Sequence, residues 1–239
     1  MGYPKQVQEH FQKLSLINTK VVKEVSVVLK NLIDQAGIVY VFGSGHSCIL
    51  ALEAFHRAGG LVPVYPILHE FLSPFVSPKI SGKLEKVEGI APVLFSRAGV
   101  KKGDLMFIAS NSGINAVPVE MALECKKAEV VTVALTSLLH SQKSQSKHSS
   151  QKKLFEICDY VLDNACPPGD ALVTIGDVSV AAGSSIACSF LYHWILTESC
   201  KLWFHEGKKL PVYKSANLEG SEAYNLKMEE HYRQRIPLL

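Results

Sequence analysis

The sequence lacks a Cys-x-x-Cys pair, a long uninterrupted apolar run and a basic nucleic-acid-binding pattern. Its six cysteines are scattered, mostly within apolar segments, which indicates buried, reduced thiols and a reducing compartment. No apolar signal segment stands at the N-terminus, and serines and a histidine interrupt the most apolar stretch, residues 181–197. We therefore expect a cytoplasmic protein that neither crosses a membrane nor binds nucleic acid.

The composition is that of a folded α/β protein. Of 239 residues, 47% are hydrophobic and 20% charged, which is enough apolar material for a core of ordinary size. Apolar, β-branched runs alternate with segments of helical periodicity, a pattern typical of a parallel sheet covered on both faces. No composition shift marks a boundary, so we predict one three-layer αβα domain over residues 1–239.

Long helices and a C-terminal extension frame this domain. Apolar residues spaced by three and four predict an amphipathic helix over 5–36, which Gly37 ends. Residues 172–175 read as an edge strand and 178–203 as a large buried helix. The N-terminal helix and the tail, 205–239, are expected to serve as packing or oligomerisation extensions.

Three predicted strands end in small polar residues. The first runs into Gly43-Ser44-Gly45-His46-Ser47, the second into residues 110–115, and the third into Thr136-Ser137. A glycine turn between a strand and a helix aims free backbone N–H groups at an anion, and ligands bind at the carboxyl ends of parallel strands. The candidate ligand-binding residues are Gly43, Ser44, Gly45, His46, Ser47, Ser110, Asn111, Ser112, Gly113, Asn115, Thr136 and Ser137.

Other ligands fit these patterns less well. The first loop has Cys48 where a dinucleotide-binding loop would place its third glycine. No His-x-x-x-His pair or carboxylate cluster has the spacing of a metal site. We therefore expect no cofactor and no metal, and a phosphate or a set of sugar hydroxyls as the ligand.

The first loop and Ser110-Asn111-Ser112-Gly113 together resemble the two phosphosugar loops of the SIS (sugar isomerase) domain family, over residues 10–200. The likeness is greatest to a phosphoheptose-isomerase-like, phosphosugar-binding branch, which shares residues 55–60, 110–120, 148–150 and 215–217. The resemblance implies a five-stranded parallel sheet of flavodoxin-like order. It also implies a homodimer or larger homo-oligomer with sites at subunit interfaces, and a small phosphosugar as partner.

For catalysis, the resemblance implies aldose–ketose isomerisation of a sugar phosphate by general acid/base proton transfer. Phosphoheptose isomerases carry a metal-binding His and a catalytic Glu on the helix after the first loop, where this chain has Glu53 and Arg57. We predict Glu53 as the general base, assisted by His69. Glu53 could instead pair with Arg57. A non-catalytic phosphosugar-binding regulator and a lyase or etherase acting on an amino-sugar phosphate remain open.

A basic, serine-rich tract covers residues 140–153. It is either a surface loop or a lid that brings Lys147, His148 or Ser149 to an anion. Turn chemistry alone explains Asp170, which follows Pro-Pro-Gly. His193, on a predicted apolar helix, reads as a core or interface histidine.

Overall fold

The computed structural model describes residues 2–239 and has a five-stranded parallel sheet at its centre, in the order β2-β1-β3-β4-β5. A separate antiparallel hairpin pairs two further strands, β6 and β7. The strands are β1 (Val39–Gly43), β2 (Val64–Ile67), β3 (Leu105–Ala109), β4 (Val131–Thr136), β5 (Tyr160–Asp163), β6 (Ala171–Ile175) and β7 (Val178–Ala182).

Helices cover both faces of the sheet, so the predicted three-layer αβα fold is confirmed. They are α1 (Tyr3–Asp34), α2 (Ile49–Ala54), α3 (Pro78–Leu84), α4 (Ile90–Ala98), α5 (Ala116–Lys127), α6 (Leu138–Gln142), α7 (Leu154–Ile157), α8 (Ser184–His205) and α9 (Ser221–Glu229). None of these helices in residues 2–239 combines the length and apolarity needed to cross a bilayer.

Every residue of β1 and of β3 is buried, because both strands lie inside the sheet between two layers of helices. Alternate side chains of these strands point to opposite faces of the sheet and pack into two separate hydrophobic cores. On one face, Val39, Val41 and Phe107 pack with α1, α2 and α8. On the other face, Tyr40 and Phe42 pack with α4, α5 and α7.

The long N-terminal helix is confirmed, and one stripe of it packs on α8. Leu14, Val22 and Leu29 are buried, whereas Leu16 on the opposite side is 82% exposed. Two serines let the helix axes approach closely, since Ser26 Oγ donates to Ile195 O and Ser199 Oγ donates to Ser26 O.

The prediction for residues 172–203 was wrong in two respects. Residues 171–175 form no edge of the main sheet, because they pair antiparallel with β7. Helix α8 begins at Ser184, so residues 178–182 are strand. The alternating Val178-Ser179-Val180 run after Gly176-Asp177 is a hairpin pattern, and its β-branched residues favour a strand.

The C-terminal tail is fixed to the amino end of the sheet by a buried ion pair. Arg235 donates to both carboxylate oxygens of Asp104, at 2.8 and 2.7 Å. Asp104 is fully buried and also accepts from the main-chain N–H groups of Ile38 and Lys101. Ile236, the next residue, is fully buried in the second core.

We predict that Arg235→Ala lowers the free energy of unfolding by about 3 kcal/mol, because it leaves a buried carboxylate without its counter-charge. Urea denaturation followed by circular dichroism measures this change. Arg97→Ala is the control, since Arg97 is exposed on α4 and makes no ion pair within residues 2–239; it should change stability by less than about 0.5 kcal/mol. Equal effects of the two substitutions would contradict the assigned role of Arg235.

Candidate functional site

The first two polar loops begin side by side. In the register of β1 and β3, Gly43 lies opposite Ala109, so the loops that follow leave neighbouring strands at the same edge of the sheet. The strand order also reverses at β1, which has β2 on one side and β3 on the other. Ligands of open α/β sheets bind in the crevice at such a reversal.

A cavity of about 360 Å³ opens between these loops, within the usual range for small-molecule sites. Loop residues from both strands line it, together with residues of α3, α6 and α8. The lining residues are Ser44, Gly45, His46, Ser47, Pro74, Pro78, Ser81, Gly82, Glu85, Ser110, Asn111, Ser112, Asn115, His140, Asp170 and Ser184.

The first loop curls into a 3-10 turn over Gly45–Cys48. A Cβ at Gly43 would lie 2.4 Å from Ser47 O, so the turn folds back over a residue that has no side chain. Ser44 is buried, and its hydroxyl donates to Glu85 Oε2 at 3.1 Å. His46 is exposed at the rim of the cavity.

The second loop is tightly constrained at Gly113. Its φ is +63°, and a Cβ there would lie 2.8 Å from Thr136 Oγ1 and 3.1 Å from Ser141 Oγ. The Gly113 N–H donates to Ser110 Oγ at 3.2 Å, so this amide already has a partner. Asn164 donates to Asn111 Oδ1 at 3.0 Å, which leaves the Asn111 NH₂ group available as a donor.

Thr136 and Ser137, at the third junction, lie behind the second loop and do not line the cavity. Both are fully buried. Thr136 Oγ1 donates to Asn111 O at 3.2 Å, and Ser137 Oγ donates to Cys166 O at 2.6 Å. In the structure they support the loops; direct contact of either with a ligand stays a prediction.

The two predicted catalytic residues also lie outside the cavity lining. Glu53 pairs with Arg57, and its Oε1 accepts from His193 Nε2 at 2.8 Å. It is one turn beyond Ile49, which lines a crevice of about 10 Å³ between α2 and α8. His69 Nδ1 accepts from Phe71 N. Their catalytic roles stay predictions.

Eight residues that sequence reasoning did not assign to the site line the cavity: Pro74, Pro78, Ser81, Gly82, Glu85, His140, Asp170 and Ser184. Asp170 accepts from Ser184 N at 2.8 Å and from Ser184 Oγ at 2.7 Å, which joins the start of the hairpin to the start of α8. The pair Gly183-Ser184 before an apolar helix was a usable signal for a helix start. Glu85 carries no such signal, because the fold of the long 68–90 segment positions it.

Burial raises the pKa of Glu85, while the Ser44 hydrogen bond and the charges of Lys86 and Lys147 lower it in part. Two residues of the lining, Asn115 and His140, each carry a side-chain atom that is buried without a hydrogen-bond partner in residues 2–239, Asn115 Oδ1 and His140 Nδ1. Such atoms are unusual, because buried polar atoms are normally paired.

The basic tract lies against the second loop. Lys147 N donates to Ile114 O and Leu154 N donates to Gly113 O, both at 2.8 Å. His148 is buried with its Nδ1 on Ser150 Oγ, and Ser149 donates to the Glu88 carboxylate. The tract therefore supports the second loop through main-chain hydrogen bonds.

Within the described part of the chain, no three His, Cys, Asp or Glu side chains are grouped as metal ligands would be.

A model of the SIS domain matches residues 2–137, more than half of the chain. The chain belongs to the SIS domain family, which confirms the resemblance. Its full-length relatives include UPF0309 proteins from two bacteria. That of Shouchella clausii is 37% identical, over 96% of this chain and 98% of the relative. That of Geobacillus thermodenitrificans is also 37% identical, over 98% and 97%.

Two solved phosphoheptose isomerases share the fold. GmhA of Neisseria gonorrhoeae aligns with a TM-score of 0.52 at 15% identity, over 82% of this chain and 91% of that chain. The enzyme of Francisella tularensis aligns with a TM-score of 0.55 at 13% identity, over 82% and 94%. The five-stranded parallel architecture is thus that of the family.

We predict that Gly113→Ala destabilises the protein by about 2–4 kcal/mol, from the positive φ and from the close approach of Thr136 and Ser141. Gly99→Ala is the matched control, because φ is +67° there and nothing lies within 4 Å of the added Cβ. It should cost only about 1–2 kcal/mol. Thermal unfolding of both variants measures the difference; equal costs would mean that the loop has room to adjust.

Proposed function

We propose that the cavity binds a small phosphosugar. The observation that supports this most is the convergence of two small-residue loops on one cavity whose lining is rich in hydroxyl and amide groups. Ser112 makes no side-chain hydrogen bond within residues 2–239 and lines the cavity, so its hydroxyl is available to a ligand. Membership of the SIS family and the fold shared with phosphoheptose isomerases support the same class of ligand.

We propose that the phosphate group of the ligand binds at the second loop. The Glu85 carboxylate lies beside Ser44, and a Cβ on Gly45 would be 3.7 Å from Glu85 Oε2. A phosphate dianion is disfavoured next to a carboxylate. Ser110, Asn111 and Ser112 line the same cavity and supply hydroxyl and amide donors, whereas the hydrogen bond of the Glu85 carboxylate is to Ser44 in the first loop. The first loop and Glu85 are then left to contact the sugar.

The reaction we propose is aldose–ketose isomerisation of the bound sugar phosphate by proton transfer. It needs a base near the carbon atoms next to the carbonyl group, and the sequence assigns that role to Glu53 with His69. A regulator that binds a phosphosugar without turnover would use the same loops. A lyase or etherase acting on an amino-sugar phosphate would also begin by removing a proton, and would differ by the loss of a side group.

We also propose that the protein is a homodimer. All five residues of β7 are exposed, and Val178 and Ile175 are 56% and 67% exposed. The stability of a two-stranded hairpin with an apolar surface is marginal by itself, and a second copy would cover it.

Sedimentation velocity should give twice the 26.2 kDa mass of the chain, and Val178→Lys should shift the protein to monomer. A monomeric wild-type protein would contradict this.

Phosphosugar binding is tested by thermal melting with hexose, pentose, heptose and amino-sugar phosphates, each beside its unphosphorylated sugar. At least one sugar phosphate should raise the melting temperature. Ser112→Ala should weaken that ligand about 10- to 100-fold, the loss of one hydrogen bond to a charged group, and leave the free protein's stability unchanged. Ser96→Ala, at an exposed position on α4, should leave affinity unchanged. If no sugar phosphate shifts melting, the proposal fails.

A further inference from the structure

Two carboxylates line the cavity, and they differ in what their oxygens already bind. Both oxygens of Asp170 accept hydrogen bonds from Ser184. Glu85 Oε2 accepts one hydrogen bond, from Ser44. Glu85 Oε1 has no hydrogen bond or ion pair with residues 2–239, so it is the carboxylate oxygen in the cavity that remains available to a ligand.

The main chain and side chain of Glu85 are held by both halves of the site. Its N–H donates to Ser81 O at 3.0 Å as α3 ends, and its carbonyl accepts from Val117 N at 3.1 Å, in the first turn of α5. Ser81 Oγ in turn donates to Leu72 O. The main chain of Glu85 is thus tied to the helix after the second loop, and its carboxylate to the first loop through Ser44.

We propose that Glu85 is a catalytic residue, the carboxylate that carries the proton between C1 and C2 of an open-chain sugar phosphate bound in this cavity. The inference rests on the proposed function, because it needs a phosphosugar whose phosphate lies at the second loop. It differs from the sequence-based assignment to Glu53, which does not line the cavity.

The proton balance of this step needs no co-reactant. The Glu85 carboxylate removes the C2 proton of the aldose; the C–H electron pair forms the C1–C2 double bond, and the carbonyl oxygen O1 takes up negative charge. A proton passes from O2 to O1, and the carboxylic acid of Glu85 then protonates C1. The product is the ketose, and Glu85 is again a carboxylate. The reaction needs no oxidant or reductant, because aldose and ketose are isomers.

The surroundings of Glu85 suit this role. A base is most effective when its pKa lies near the working pH, and burial raises the pKa of the Glu85 carboxyl. Asn115 and His140 line the same cavity and bring further polar side chains to it.

The test starts from any sugar phosphate that stabilises the wild-type protein in the melting screen. Incubation of the aldose in ²H₂O should form the ketose with deuterium at C1, and the reverse step should place deuterium at C2 of the recovered aldose. Mass spectrometry and NMR measure both labels. Glu85→Gln should bind the ligand and lower the rate of exchange by about 10²- to 10⁴-fold, the usual contribution of a positioned base. Glu85→Asp should restore part of the rate. Glu129→Gln, a 69%-exposed carboxylate paired with Lys102, should exchange at the wild-type rate.

Glu53→Gln is measured in parallel, and a loss of exchange in Glu53→Gln with full exchange in Glu85→Gln would overturn the inference. A pH profile separates catalysis from a structural role. Exchange should rise with pH as Glu85 ionises, and Ser44→Ala, which removes a hydrogen bond that lowers this pKa, should move that rise to higher pH. An unmoved profile would overturn the inference.

Stabilisation without exchange in the wild type would overturn the role of Glu85 while leaving phosphosugar binding intact. If no sugar phosphate stabilised the protein, the proposed function itself would be refuted.

Discussion

The parallel pairing of β1 with β3 is the interaction on which the rest of the site depends. It sets Gly43 opposite Ala109, so two loops that lie some 65 residues apart in sequence start from adjacent positions in space. Because both strands are buried on both faces, a change of register would move apolar side chains from one core into the other. The packing of the two cores therefore holds the loops together, and the cavity follows from the fold.

The conformations of the two loops are tightly defined, because close packing at glycines and hydrogen bonds to neighbouring residues exclude most other backbone conformations. Gly43 and Gly113 both face atoms that a Cβ would strike. Behind Gly113, Thr136 Oγ1 donates to the carbonyl of Asn111 in the second loop. Ser137 Oγ donates to the carbonyl of Cys166, which follows β5. Glu85 adds a negative charge on the side of the first loop. The two loops thus meet at one cavity, with the Glu85 carboxylate hydrogen-bonded to the first. A phosphate at the second loop and a sugar at the first is the arrangement that we propose.

The sequence predicts the parts of this protein that depend on local pattern. Apolar β-branched runs locate the five central strands, and Gly43–Ser47 with Ser110–Gly113 locate two walls of the cavity. The hairpin was missed because the apolar residues of Val178–Ala182 were read as part of the following helix, although Gly183-Ser184 marks where α8 begins. Glu85 was missed for a different reason: its place in the cavity depends on how residues 68–90 fold over the loops, through contacts such as Val117 N to Glu85 O, which no short motif encodes.

Whether the two loops hold one ligand is tested most directly by an NMR titration of the ¹⁵N-labelled protein with a sugar phosphate that raises its melting temperature. The account predicts that the amide signals of Gly45 in the first loop and of Ser112 in the second both shift, with a single dissociation constant. Unphosphorylated sugar should shift them far less. If the signals of only one loop respond, or if the two loops titrate with different constants, the loops do not form one site.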